Sequence, residues 1–468
     1  MTQRARSIDN VVAFQNSQGL RAQGTLMDLT RHVITFEVYN PYSIVQLSEV
    51  LQTLQIRQGE REIYRGRAVV TNLINTGMMV VVTASLVDSW SDLAGLRPGP
   101  ALRDAVDEFL QDWSDSTSVL TPEYHRSVGN LRSFLQELSR WIEHGEGSLG
   151  VLEANAPPDL VEEFLSDVDG RASNKFADLY GEWEAAIKNV PKKHLHAHKA
   201  YARHELHPFM LCSPFVHRAF TKPLGYGGDY IMVRMMLSPP WEGPTCFARI
   251  VNASSLRHDA PAAHRNRIDL LTKAIASETR RIVEHEGRLE ALNIGCGPAV
   301  EVEQFIRQTP LADHANFTLI DFNEETIQYA GRTMATAIKE TDRKTELKTE
   351  KRAVDEIIRE SMRPGTSNSP QYDLVYCAGL FDYFGDPTCE ALLALFYSWT
   401  KPGGLVVTTN VTPGHSTAGI MSHLMDWNLR LRDERKMLEL APPLGIPTSF
   451  CDATGVNVFL TIRRPSEN

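Results

Sequence analysis

The strongest constraint on this chain is a glycine turn, Ile294-Gly295-Cys296-Gly297-Pro298, that closes an apolar run and is followed, at the end of the next apolar run, by Asp321. Glycines at such a strand-to-helix junction let the backbone turn tightly and approach a ligand that any side chain would block. Taken alone the turn also has a purely structural reading, because tight turns use glycine anyway. Asp321 adds what the glycines lack, since a carboxylate at that strand end can accept two hydrogen bonds from neighbouring ribose hydroxyls. The pair specifies a nucleoside. Around it, Leu289 to Ile294, Phe317 to Ile320, Glu346 to Glu350, Leu374 to Cys377 and Leu405 to Thr409 are predicted strands with helix-length connections. That alternation predicts an α/β fold, a doubly wound sheet, and the tail from Pro447 to Arg463 adds antiparallel strands.

The residues after the turn narrow the nucleoside. A dinucleotide site wants a third small residue where this chain has Val300, and Glu301 and Glu303 follow at once in the helix that would receive a pyrophosphate. Those carboxylates would repel a diphosphate and suit a nucleoside carrying a cationic sulfonium. Composition points the same way: 48 Lys plus Arg against 58 Asp plus Glu, a formal charge of −10, argues against a nucleic-acid binder.

The wording of these segments resembles the class I S-adenosylmethionine (SAM) dependent methyltransferases. Leu292-Asn293-Ile294-Gly295-Cys296-Gly297-Pro298 is similar to their first motif, Asp321-Phe322-Asn323 to their ribose-binding second, and Tyr372-Asp373-Leu374-Val375-Tyr376-Cys377-Ala378-Gly379-Leu380 to their fourth-strand segment. Ala353-Val354-Asp355 falls where they read the adenine edge, and Lys401-Pro402-Gly403-Gly404-Leu405 resembles their turn before strand five. The resemblance implies a Rossmann-like sheet with SAM as cofactor. It places Gly295, Cys296 and Gly297 on the amino-acid and ribose portion, Asp321 on the ribose hydroxyls, Phe322 and Val354 on the adenine, and Ala378, Gly379 and Leu380 on the methionine side.

Upstream, Lys222-Pro223-Leu224-Gly225-Tyr226-Gly227-Gly228-Asp229-Tyr230 is richer in glycine and tyrosine than a turn requires. It reads either as a loop packed under the sheet or as a lid over the cofactor, with Tyr226 at the amino-acid end and Asp229 meeting its ammonium. Arg265, in a charged stretch, offers a guanidinium to an acceptor carboxylate, against the commoner use of such charges on a solvated helix face. Tyr383 and His415 complete the acceptor-side candidates, and Tyr226, His415 and His423 are the candidates for acid–base work. A carboxylate acceptor needs no base, being ionised already near neutral pH. The glycine-tyrosine segment, the Gly-Cys-Gly-Pro turn and the Asp452-Ala453-Thr454-Gly455-Val456-Asn457 tail together resemble bacterial proteins of 3-hydroxy fatty acid methyl ester biosynthesis, which make a quorum signal. That likeness spans roughly residues 190 to 465. Met232, Met235 and Met236 suit an adaptable apolar pocket, although methionines more often fill cores.

Ahead of this unit the chain changes character twice. In residues 1–90 short runs alternate apolar and polar: Val11 to Phe14, Leu20 to Leu29, His32 to Val38, Ile44 to Leu54, Glu62 to Asn72 and Met78 to Leu86. They predict a small antiparallel barrel or sandwich, with a hairpin turning at Asn75-Thr76-Gly77. It resembles a degenerate PilZ domain, the cyclic-di-GMP receptor fold; Arg4 and Arg6 stand too close together, and Asp28-Leu29-Thr30-Arg31-His32-Val33 lacks the family's serine and glycine. A docking or dimerisation surface, giving a homodimer through this domain, is the preferred role. Residues 91–190 carry three- and four-residue apolar spacing in Leu102 to Trp113, Tyr124 to Trp141 and Leu160 to Trp183, a helical connector with no catalytic constellation. Residues 191–468 form the methyltransferase unit, with 191–280 as a helical cap.

No metal is expected: His194, His196 and His198 lack a completing Asp or Cys, and the six cysteines are scattered. Polar residues after Met1 and apolar runs far short of the ~20 residues of a membrane span predict a cytoplasmic protein. The expectation is therefore a SAM-dependent methyltransferase acting on a small-molecule acceptor, a (3-hydroxy) fatty acid carboxylate among the candidates. The alternatives are O- or N-methylation of another small molecule and a non-catalytic SAM-binding sensor or scaffold.

Overall fold

The computed structural model describes residues 10–39, 44–58, 61–76, 79–88, 90, 99–148, 157–363 and 371–466. Arg4, Arg6 and Gly77 lie outside them. Strands β1 (Asn10–Gln15), β2 (Arg21–Leu29), β3 (Val33–Tyr39), β4 (Val50–Gln58), β5 (Arg61–Asn75) and β6 (Met79–Leu86) close into a six-stranded antiparallel barrel in the order β1-β2-β3-β6-β5-β4. Alternation turns Val12, Phe14, Ile34, Phe36, Val38 and Val82 inward, so every second residue fills the core. The run from Ile44 to Leu54 is a strand only from Val50. Ser48 sits at φ 60, and the Glu49 carboxylate accepts from the backbone N–H groups of Gln46 at 2.8 Å and Ser17 at 2.9 Å, curling residues 44–49 into a loop.

Helices α1 (Pro100–Ser118), α2 (Pro122–Ser148) and α3 (Pro158–Lys188) follow, then α4 (Leu195–Met210), α5 (Pro214–Thr221), α6 (Tyr230–Leu237), α7 (Cys246–Leu256) and α8 (Asp259–Val283). The apolar stripe of α1, with Val106, Phe109, Leu110 and Trp113, is exposed. By contrast α2 and α3 share one core with α4, α5 and α7, in which Tyr124, Trp183, Leu206 and Ile250 are buried together. His198 accepts from the backbone N–H of Thr121 at 3.0 Å and His196 stacks on His32 of the barrel, so these histidines tie elements together.

The second sheet holds β7 (Leu289–Ile294), β8 (Ala315–Asp321), β9 (Glu346–Lys351), β10 (Tyr372–Cys377), β11 (Thr400–Val411), β12 (Ile446–Cys451) and β13 (Asn457–Arg463) in the order β12-β13-β11-β10-β7-β8-β9. β13 runs antiparallel to both neighbours, and β7 to β11 are parallel. Helices α9 (Val300–Gln308), α10 (Glu324–Thr341), α11 (Val354–Ser361), α12 (Asp386–Trp399), α13 (Ala418–Leu424) and α14 (Glu434–Glu439) complete the chain. Period-two burial splits each central strand between two cores. Leu289 and Ala291 face α8, α9 and α10, whereas Leu292 and Ile294 face α11 and α12. This is the Rossmann-like sheet of class I methyltransferases. The strand order reverses between β7 and β10, and a crevice for ligand opens at their carboxyl ends.

Candidate active site

The turn after β7 occupies that crevice. Gly295, Gly297 and Ala299 adopt positive φ of 66, 54 and 50, conformations that glycine reaches without a Cβ penalty. The turn is sewn to β8: Cys296 donates its backbone N–H to the Ile320 carbonyl at 3.0 Å, and Gly297 donates to Asp321 Oδ2 at 3.1 Å. Asn323 donates to Oδ1 at 2.9 Å. Each Asp321 oxygen thus keeps capacity for a further donor. Burial raises its pKa to about 6, against the pull of those backbone N–H groups. A Cβ built on Gly297 would meet nothing within 4 Å. That open cradle fits a ligand pressed against the backbone.

The cavity around the turn encloses roughly 1740 Å³ of empty space, counting its opening to solvent. Gly295, Cys296, Gly297, Asp321 and Phe322 form one wall, and Ala378, Gly379 and Leu380 another. Tyr226, Tyr383 and His415 also line it. Tyr226 packs on Phe322, with ring centroids 4.9 Å apart, and its hydroxyl lies 3.3 Å from Thr326 Oγ1. Burial and the nearby Asp321 carboxylate push the Tyr226 pKa up, so it stays a neutral hydrogen-bonding group. Tyr383 accepts from Trp427 Nε1 at 3.0 Å. His415 contacts Thr417 Oγ1 at 3.3 Å and is held neutral by burial, its pKa lowered.

Four expected residues are absent from the cavity wall. Asp229 caps α6 through the N–H groups of Ile231 and Met232 and takes Arg218 Nε at 2.9 Å, so it is spent on the fold. Val354 packs among Ile357 and Leu392 behind the sheet. Arg265 donates to the Met236 carbonyl at 3.0 Å. His423 bonds the Gly419 carbonyl at 2.9 Å, and burial lowers its pKa to about 3. The acids after the turn diverge as well. Glu301 lines the cavity but accepts from Asn293 Nδ2 and the Tyr376 hydroxyl, and burial raises its pKa. Glu303 pairs with Arg307 instead.

The cavity also contains groups that no sequence motif marks. Arg267, two positions beyond Arg265, is one turn from the buried Ala263 and from the buried Leu271, a signal that marks it. Its guanidinium is buried; Nη2 lies 2.7 Å from His264 Nε2, and Nη1 has no hydrogen-bond partner among the described residues and lies against Gly379. A cation left with an open donor beside the methionine wall fits the α-carboxylate of SAM. Tyr180 of α3 and Gln46 and Leu47 of the barrel complete the wall. No periodicity announces them, because all three arrive from elements distant in the sequence.

Fold and site together define a SAM-dependent methyltransferase of class I. Residues 292–406 match the family model described as a methyltransferase domain. Among solved structures, a possible exported protein from Bordetella parapertussis is similar at 16% identity over 54% of this chain and 86% of its own, with a TM-score of 0.41. Magnesium protoporphyrin IX methyltransferase from Synechocystis PCC 6803 is similar at 13% identity over 44% of this chain and 85% of its own, with a TM-score of 0.30. Human N-acetylserotonin methyltransferase gives 12%, 62%, 70% and 0.30 in the same order. No curated protein sequence matches the chain. Among the described residues no helix is long and apolar enough to cross a membrane, and no group of three or more His, Cys, Asp or Glu is placed to hold a metal ion.

Proposed function

We propose that the chain methylates the carboxylate of an apolar-chain acid, with 3-hydroxy fatty acids the acceptor class suggested by the resemblance of residues 190 to 465. The observation that carries this reading is the cavity beyond the glycine turn, where Met210, Phe215, Val216, Val233, Met236 and Met421 make an apolar, readily adapting wall. Bound SAM supplies a methyl group already activated on sulfur. The work left to the protein is positional. Asp321 would hold the ribose hydroxyls, Arg267 the cofactor carboxylate, and Tyr226 on Phe322 would cover the nucleoside end and exclude water. An ionised acceptor carboxylate needs no proton removed, which suits a cavity whose histidines, His258, His264 and His415, are neutral and whose tyrosines are held protonated.

A second reading, O-methylation of a hydroxyl, rests on His415, which with His258 and His264 is one of three neutral imidazoles on the cavity wall, able to take a proton. The barrel is read as PilZ-like in architecture and as a docking partner for the catalytic unit in role. A product-release assay against fatty acids, 3-hydroxy acids, hydroxylated compounds and amines tests all of this. Turnover of the acids that survives His415→Asn supports carboxyl methylation. Turnover of hydroxyl compounds only, lost in that variant, supports the second reading, and SAM binding without turnover of any acceptor would leave a sensor.

A further inference from the structure

The barrel is built into the cavity, and one of its loops is unusually well fastened. Within residues 44–49, Asn16 Nδ2 donates to the Ile44 carbonyl at 2.8 Å and Glu49 takes the Gln46 N–H at 2.8 Å. The Ser48 hydroxyl lies between segments far apart in sequence. It accepts from the backbone N–H of Asn428 at 2.6 Å and faces the carbonyls of Asn428 at 2.9 Å and Asp426 at 3.2 Å. The Val50 N–H donates to the Gly225 carbonyl at 2.8 Å, fixing the loop to the glycine-tyrosine segment as well. These bonds hold the side chain between them, Leu47, against the active cavity.

Leu47 also borders a second cavity, with about 640 Å³ of empty space counting open solvent, in the seam between the barrel and residues 415–431. Thr71 and Asn72 of β5 form its barrel side. Leu47, His415, Met421, Trp427 and Leu429 line both cavities, so these five side chains are the partition between them. Leu47 is the one member of that partition supplied by the barrel.

We propose that Leu47 is a length gauge for the acceptor: the apolar chain runs along this partition, and the barrel loop sets where it must stop. The proposal rests on the reading of the cavity as the site of an apolar acceptor, but it concerns chain length and not the group methylated. A leucine held by a preorganised loop resists displacement, so acceptors that reach it meet a stop. Removing it opens the seam cavity to the chain, and enlarging it shortens the space.

The test compares wild type, Leu47→Ala and Leu47→Phe, each first checked for folding by thermal melting and for SAM binding by calorimetry. Saturated straight-chain carboxylates, alcohols and amines of graded length are then assayed for methyl transfer, and for binding to the protein loaded with demethylated SAM. The expected result is an optimum length that moves up in Leu47→Ala and down in Leu47→Phe at unchanged SAM affinity. Acceptors longer than the wild-type optimum should gain about fourfold per accommodated methylene in the alanine variant. Opposite shifts cannot come from destabilisation, which would move both variants alike. Failure of the carboxylates with turnover of another head group would sink carboxyl methylation and leave the gauge to be read on that series. Identical length profiles in the three proteins, by turnover or by binding, would overturn the gauge, as would a wild-type protein that binds no chain of any length.

Discussion

Gly297 donates its backbone N–H to the Asp321 carboxylate, and that single 3.1 Å contact joins the two features that make the crevice a nucleoside site. The glycine turn and the acid come from neighbouring parallel strands, β7 and β8, paired in register from Leu289 with Ala315 to Ile294 with Ile320. Their relative position is therefore set by the sheet before any ligand arrives.

Asp321 carries the first prediction. With its pKa raised to about 6, the carboxylate is ionised at pH 7.5 and protonates as pH falls below that value. Affinity for demethylated SAM should hold above pH 7 and weaken by up to tenfold per unit below about pH 6. Asp321→Asn should weaken binding at pH 7.5 by roughly 10- to 100-fold, the worth of hydrogen bonds to a charged group, and flatten the profile. Calorimetry across pH 5 to 8 reads both effects.

Gly297→Ala separates folding from binding. The new methyl group has room, and its left-handed conformation costs about 1–2 kcal/mol. A modest drop in melting temperature should accompany a loss of cofactor affinity exceeding tenfold, because the methyl would occupy the ligand's cradle. Equal affinity in the variant would show that no ligand approaches there.

Arg267→Gln should weaken demethylated SAM but leave 5′-methylthioadenosine, which lacks the amino-acid portion, unaffected. A matched loss for both ligands would show instead that the arginine only supports the wall at Gly379.

Glu49 predicts a pH signature in the barrel. Burial raises its pKa from 4.5 to about 7, so the folded state holds a proton that the unfolded chain releases above about pH 4.5. The resulting stabilisation is full below about pH 4.5 and is lost as pH rises through 7, roughly 3 kcal/mol across that window. Glu49→Gln should remove this slope from the melting temperature measured between pH 5 and 8.

The sheet was legible because period-two burial and glycine turns are local signals. The strands, their helical spacers and the glycine turn beside Asp321 follow from them. The misses share a cause. Side-chain chemistry alone does not separate Arg265 from Arg267, where helical phase decides, and Asp229 has a ligand's chemistry at a position before Tyr230-Ile231-Met232 that makes it a helix cap. The run from Ile44 to Leu54 alternates as one strand would. Its first half is a loop because Glu49 bonds backward to Gln46 and Ser48 is gripped by residues nearly the whole chain away, which no local pattern encodes.

That grip orders events during synthesis. Ser48 and Asn428 are 380 positions apart, so the barrel leaves the ribosome long before its clasp exists. Leu47 lacks its counterpart residues until β11 and the segment behind it have been made. Closure over so long a loop is entropically slow, and the acceptor site should mature after the nucleoside site does.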